Sequence, residues 1–171
     1  MYDIHVYIDD NKTVLNIGDR VIEAFIGLNG STINKMEGDN KTPLGIFDIG
    51  MAFGTHNKVN TKLPYIKITK DLYWIDDIES NYYNELININ DVSKDWTSAE
   101  HLIDYPKEYE YAIEIKTNPS NIKGKGSAIF IHCHGKNRYT AGCISISKED
   151  MIYLLKKVDN NTKIYIETNK N

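Results

Sequence analysis

The chain has 171 residues, 41% of them apolar and 26% charged, a globular composition that excludes wholesale disorder and repetitive fibrous structure. Twenty basic against twenty-four acidic residues leave a net charge of −4, which argues against a nucleic-acid partner. Two cysteines cannot staple a disulfide scaffold, and no apolar run reaches the length of a membrane span, so a single soluble domain over residues 1–171 is expected.

Ile4, Val6 and Ile8 alternate with His5 and Tyr7, the period of a half-buried strand. Asp9 to Lys12 reads as a turn, Thr13 to Ile17 as the second arm of a hairpin, and Val21 to Ile26 as a third strand after Gly18-Asp19. The three form a meander. Residues 27–54 are rich in Gly, Asn and Asp, and read as a long functional loop ending in a short strand. Leu63 to Ile75 reads as a strand pair with Ile66, Ile68, Leu72 and Trp74 inward. In the irregular stretch from Asp76 to Tyr105, Ser98 to Leu102 suggests one helical turn. Tyr109 to Ile115 alternates as a strand, and Ser127 to Ile131 is an unbroken apolar run suited to a central strand. Ser147-Lys148-Glu149-Asp150 is a capping box, and Met151, Leu154, Leu155 and Val158 share one helical face. Thr162 to Glu167 closes the chain as a strand. The predicted fold is mostly β with one clear helix over about 148–158.

Both cysteines and two of the five histidines fall between His132 and Cys143. One reading is a Cys/His nucleophilic site, because a thiol of ordinary pKa needs a neighbouring base at neutral pH. His132 ends a buried strand and Cys143 opens the next. Gly142 permits a tight turn that aims backbone N–H groups at a developing oxyanion. No nearby carboxylate is available to orient the imidazole, so a backbone carbonyl such as that of Cys133 takes that place. A second reading is a metal site of His132, His134 and Cys143, which lacks the fourth ligand of structural zinc. The third is that both cysteines are simply buried, which suits Cys133 better than Cys143. Arginine occurs only at Arg20 and Arg138, the latter between the two catalytic candidates.

The run Gly126-Ser127-Ala128-Ile129-Phe130-Ile131-His132, followed by Thr140-Ala141-Gly142-Cys143-Ile144-Ser145, resembles the catalytic signature of the L,D-transpeptidases, or YkuD-like domains. Gly38 to Phe47, containing Lys41-Thr42-Pro43, resembles that family's early segment. Trp74 to Asp77 through Tyr83-Asn84, and Trp96 to Glu100, resemble one branch of it. The resemblance implies an L,D-transpeptidase-like β-sandwich. It also implies a thioacyl-enzyme acting on peptidoglycan stem peptides as donor and acceptor and forming 3→3 cross-links. L,D-carboxypeptidase or endopeptidase activity and an inactive wall-binding module are the alternatives. Cys143 matches the nucleophile, His132 the base, and Gly142 the oxyanion region, with Arg138, Thr140 and His134 as substrate-binding candidates; His134 is also an alternative base. The sequence departs from the family pattern in three places: the short separation of base and nucleophile, Ala141 where many members carry histidine, and Ser145 where they carry Asn or Arg. No cofactor or metal is expected. A monomer located outside the cytoplasmic membrane, at the cell wall, follows from the implied substrate.

Overall fold

The computed structural model describes residues 2–9 and 12–168. It contains fourteen strands and one α-helix. Strands β1 (Ile4–Ile8), β2 (Thr13–Ile17) and β3 (Arg20–Ala24) are followed by two short strands, β4 (Ser31–Thr32) and β5 (Thr42–Pro43), and by the long β6 (Gly45–Gly54). Then come β7 (Tyr65–Lys67), β8 (Leu72–Ile75), β9 (Leu86–Asn88), β10 (Ala99–His101), β11 (Tyr111–Ile115), β12 (Phe130–Cys133) and β13 (Ile144–Ile146). Helix α1 (Lys148–Lys157) and β14 (Lys163–Thr168) complete the fold.

The main sheet runs β13-β12-β11-β6-β14-β1-β2-β3, with β7 beside β6. Its two ends meet: Phe25, just past β3, exchanges both backbone hydrogen bonds with Ser145 of β13 at 2.9 Å. The expected sandwich thus takes the form of one curled, barrel-like sheet. A separate three-stranded sheet, β10-β8-β9, supplies a second layer. The curled sheet encloses an aliphatic core that includes Ile4, Val6, Leu15, Ile131, Ile144 and Ile164, with Met151, Leu154, Leu155 and Val158 of the helical segment packed into it. The helix starts as its capping box predicts, with Ser147 Oγ accepting the Asp150 N–H at 3.1 Å. Lys156 and Lys157 lie in its last turn, where the dipole favours them.

The meander forms as read, although the Asp9 to Lys12 turn includes Asp10 and Asn11, which lie outside the described residues. Four readings differ from the structure. The strand ending the Gly-rich segment spans Gly45–Gly54 and binds β7, β11 and β14. Glycines at 45, 50 and 54 hide this pattern, and a Cβ on Gly50 would stand 1.9 Å from the Glu114 carboxylate. The pair within Leu63 to Ile75 does not pair with itself, because β7 joins the main sheet and β8 the small one. Ala99–His101 is a strand, and the helical turn, a 3₁₀ turn, begins only at Leu102. Finally, Ser127 to Ile129 are buried but not extended in a strand, since Ala128 takes a left-handed φ of 53° and β12 starts at Phe130.

Candidate active site

Alternation along β12 sorts its side chains between two environments. Ile131 and Cys133 point into the aliphatic core, whereas Phe130 and His132 face the opposite side. On β13 the neighbouring parallel strand does the same, with Ile144 and Ile146 inward. The register pairs Ile131 with Ile144 and His132 with Ser145. Cys143, one residue before β13, therefore lies on the His132 face beside Phe130, whose N–H donates to Cys143 Sγ at 3.3 Å. His132 and Cys143 are diagonal neighbours on one face. His134, one step further along the same face, stacks on Phe25 with ring centroids 4.4 Å apart and meets Ser145 Oγ at 3.0 Å. It is further from the thiol than His132 by one repeat of the strand.

The His132 Nδ1 lies 2.7 Å from the Cys133 carbonyl oxygen, the backbone orienter that the sequence suggested. That bond fixes the tautomer with the proton on Nδ1 and leaves Nε2 as an acceptor. Burial holds the imidazole below its ordinary pKa, so the ring is neutral and basic at pH 7. The thiol is also neutral. Burial pushes Cys143 up to about 12, the Glu100 charge adds to this, and the Phe130 N–H and Lys35 oppose it. The S–H donates to the Ala128 carbonyl at 3.2 Å. Burial thus favours the uncharged form of both the imidazole and the thiol.

The surroundings of Cys143 combine Phe53 of β6 and Phe130 of β12 with residues from the segments between β7 and β11. Phe53, Trp74, Tyr109 and Phe130 form an aromatic cluster with edge-on contacts, and the Tyr109 ring meets His132 edge-on at 5.5 Å. Asn84 holds the strained Ala128: its Oδ1 accepts from Ala128 N and from Trp74 Nε1, both at 3.1 Å. Its amide donates to Asn118 O and Asn121 Oδ1, so its whole hydrogen-bonding capacity is engaged. Below the cluster the Tyr109 hydroxyl donates to Glu100. The Glu100 side chain is only half-buried, but its carboxyl is desolvated, which raises its pKa to about 7 against the opposing Tyr109 bond.

The Gly142 turn is clamped from both sides. Thr140 Oγ1 accepts the Gly142 N–H at 3.0 Å and donates to the Cys143 carbonyl at 2.6 Å. Buried Thr42 donates to the Gly142 carbonyl and accepts the Gly27 N–H, both at 2.9 Å. Gly142 has φ of 143°, and a Cβ there would meet the Lys41 carbonyl at 2.9 Å, so only glycine fits. Of the two N–H groups expected at an oxyanion, that of Gly142 is engaged by Thr140. The N–H of Cys143 has no acceptor among the described residues.

Arg138 is placed differently from the catalytic candidates. Its exposed guanidinium lies 3.3 Å from Glu23 and over the Phe25 ring. It lines a cleft of about 780 Å³ with Glu23, Phe25, Leu28 and Tyr139, and Cys143 is not part of that lining. The metal reading finds no support in the arrangement, since no three His, Cys, Asp or Glu side chains converge among the described residues. Sequence reasoning missed Thr42, Asn84, Glu100 and Tyr109 as parts of the site. Thr42, Asn84 and Glu100 lie in segments that carry the family resemblance, the only signal that marks them.

The chain thus combines a curled β-sheet and an α-helix with a cysteine and a histidine on one sheet face. The L,D-transpeptidase catalytic domain (YkuD) model matches residues 1–166, and the chain belongs to that family. Among solved structures, it is similar to the helical cell shape determining protein Pgp2 from Campylobacter jejuni, with a TM-score of 0.51 and 16% identity over 100% of this chain and 50% of that one. It is also similar to Bd1075 from Bdellovibrio bacteriovorus (TM-score 0.49, 17% identity, 97% and 47% covered). L,D-transpeptidase 1 from Mycobacterium tuberculosis gives a TM-score of 0.45 and 14% identity, with 96% and 60% covered. The chain spans about half to three-fifths of the length of these proteins. A comparison with curated protein sequences gives no match.

Proposed function

We propose that this protein is a cysteine-dependent L,D-transpeptidase acting on peptidoglycan stem peptides outside the cytoplasmic membrane. The observation that carries the reading is the placement of His132 and Cys143 as diagonal neighbours on one sheet face, with His132 Nδ1 tied to the Cys133 carbonyl. Catalytic hydrogen bonds of this kind often tighten only once substrate is bound. In the first step the Cys143 S–H leaves the Ala128 carbonyl and passes its proton to His132 Nε2. The sulfur forms a bond to the carbonyl carbon of the L-centre before a D-residue, and the carbonyl π-electrons move onto oxygen. Collapse of that oxyanion breaks the C–N bond, and His132 returns the proton to the leaving amine of the D-residue. An amine of a second stem peptide then attacks the thioester, with His132 taking its proton, and the Cys143 thiol is regenerated. Neutral partners at rest suit this route, in which the base acts during attack.

Gly142 shapes the turn that presents Cys143, and Thr140 holds that turn. His134 and Arg138 are assigned to substrate, Arg138 through a carboxylate that would displace Glu23. The test is product analysis with a tetrapeptide donor, with and without an amine acceptor. Cross-linked product that requires both acceptor and Cys143 is expected. Release of the D-residue with no cross-linked product would make the protein a carboxypeptidase, and an absence of any turnover would make it an inactive wall-binding module.

A further inference from the structure

A cation, Lys35, borders the Gly142 turn beside Cys143. Lys35 lies on the segment between β4 and β5, and its side chain is only 10% exposed. Its stem crosses Gly126, where a Cβ would stand 2.7 Å from Lys35 Cγ. The stem carries the ammonium to the Gly142 turn, 3.6 Å from the position of a Cβ on that glycine, in the residue just before Cys143. The segment is held in place from several directions. Glu37 N–H donates to the Gly124 carbonyl at 2.9 Å, and the Glu37 carboxylate accepts from Ser127 Oγ at 2.8 Å and from the Tyr83 hydroxyl.

The ammonium donates to Asp39 and, at 3.1 Å, to the Met36 carbonyl. Asp39 is itself fixed by the N–H groups of Met36 and Lys41, both at 2.9 Å. An ammonium has three donors, so one is left for another acceptor. The Gly142 N–H is engaged by Thr140, and the Cys143 N–H is open. An oxyanion formed at Cys143 thus has one backbone donor where two were expected, and a constrained ammonium beside it.

We propose that Lys35 is a catalytic residue, supplying with the Cys143 N–H the positive side of the oxyanion site and stabilising negative charge on the sulfur as it forms. This rests on the acyl-transfer reading above. Other ionisable groups around Cys143 are His132 on β12, Tyr109 before β11 and Glu100 on β10; Glu100 opposes Lys35 by raising the cost of a thiolate. A point charge of fixed position in a water-poor site acts most strongly where charge develops.

The experiment compares Lys35→Met, which keeps the stem over Gly126, with Lys35→Arg, which keeps the charge. Two rates are followed: acylation of Cys143 by a carbapenem, read as intact mass, and alkylation of Cys143 by iodoacetamide from pH 7 to 10, read by peptide mapping. Acylation of Lys35→Met should fall on the order of 100-fold. Its alkylation should be slower at each pH, and Lys35→Arg should recover most of both rates. A Lys35→Met acylation rate within twofold of the parent, or an equal loss in Lys35→Arg, would overturn the proposal. Should Lys35→Met fail to fold, Lys35→Gln removes the same charge while keeping a polar group against Asp39. A several-fold slower alkylation supports the proposal, and an unchanged rate overturns it. If the parent protein takes up no carbapenem, the acyl-transfer reading fails, while the alkylation arm still reports on the charge at Cys143.

Discussion

The two cysteines lie on opposite faces of the same sheet, and their surroundings differ in kind. Cys133 points into the aliphatic core, and its thiol donates to the Tyr111 carbonyl at 3.7 Å. Cys143 points into an aromatic cluster, between a left-handed Ala128, a neutral histidine, a buried ammonium and a protonatable carboxyl. Burial raises both thiols, Cys133 to about 11 and Cys143 to about 12. Burial therefore does not by itself distinguish the proposed nucleophile, Cys143, from Cys133. What differs is the set of groups around each thiol: Cys143 shares its face with His132 and donates to the carbonyl of the left-handed Ala128, the groups that the proposed acyl transfer would use. Strain at a non-glycine residue costs on the order of 1–3 kcal/mol and is kept where neighbours enforce it, as Asn84 does for Ala128.

The contrast can be broken most sharply at His132. His132→Ala should lower the acylation rate about 10²- to 10⁴-fold with little change in melting temperature. The same change at His134 should cost far less, and equal losses would move the base to His134. On the aliphatic side, Leu154→Ala should reduce stability by about 2–5 kcal/mol, by denaturant titration, while acylation per folded molecule stays unchanged. A loss of rate there would mean that the two faces are not independent.

How much of this was legible in the sequence follows the same division. The aliphatic side is encoded by period: alternation in Ile4 to Ile8 and the 0, 3, 4, 7 spacing from Met151 are direct consequences of strand and helix geometry. The Cys/His pair was legible from its spacing and flanking glycine, and even the orienting carbonyl could be named. The aromatic side was not legible in this way. Trp74 was read as an inward strand residue and Tyr109 as part of an alternating strand, but Asn84 and Glu100 come from a turn and a short strand with no period, and the four are brought to the Cys143 side only through long-range pairing. Thr42 joins Gly27 to Gly142, a link that no local pattern can show. Lys35 was hidden for the same reason, within a segment read only as a long functional loop.

Glu100 gives a smaller effect with a defined sign. Burial raises its folded-state pKa to about 7, above the ordinary glutamate value of 4.5. The unfolded state therefore ionises first, and stability falls as the pH rises from about 4.5 to about 7, remaining low above that. Glu100→Gln keeps an acceptor for the Tyr109 hydroxyl and removes the titration. The variant should melt higher than the parent at pH 8 and no higher at pH 4; parallel profiles would remove Glu100 as the source. Smallest of all, Arg138→Ala should raise KM for a tetrapeptide donor a few-fold with kcat retained, because its exposed pairing with Glu23 is weak. An unchanged KM would leave Arg138 as a surface residue.

The central claim is that Cys143, with its neutral base and its buried surroundings, is the acylated atom's residue. Peptide mapping after exposure to a carbapenem tests this directly. The adduct should map to Cys143, with Cys133 unmodified, and should be lost in Cys143→Ala. An adduct on Cys133, or one that persists in Cys143→Ala, would contradict the account.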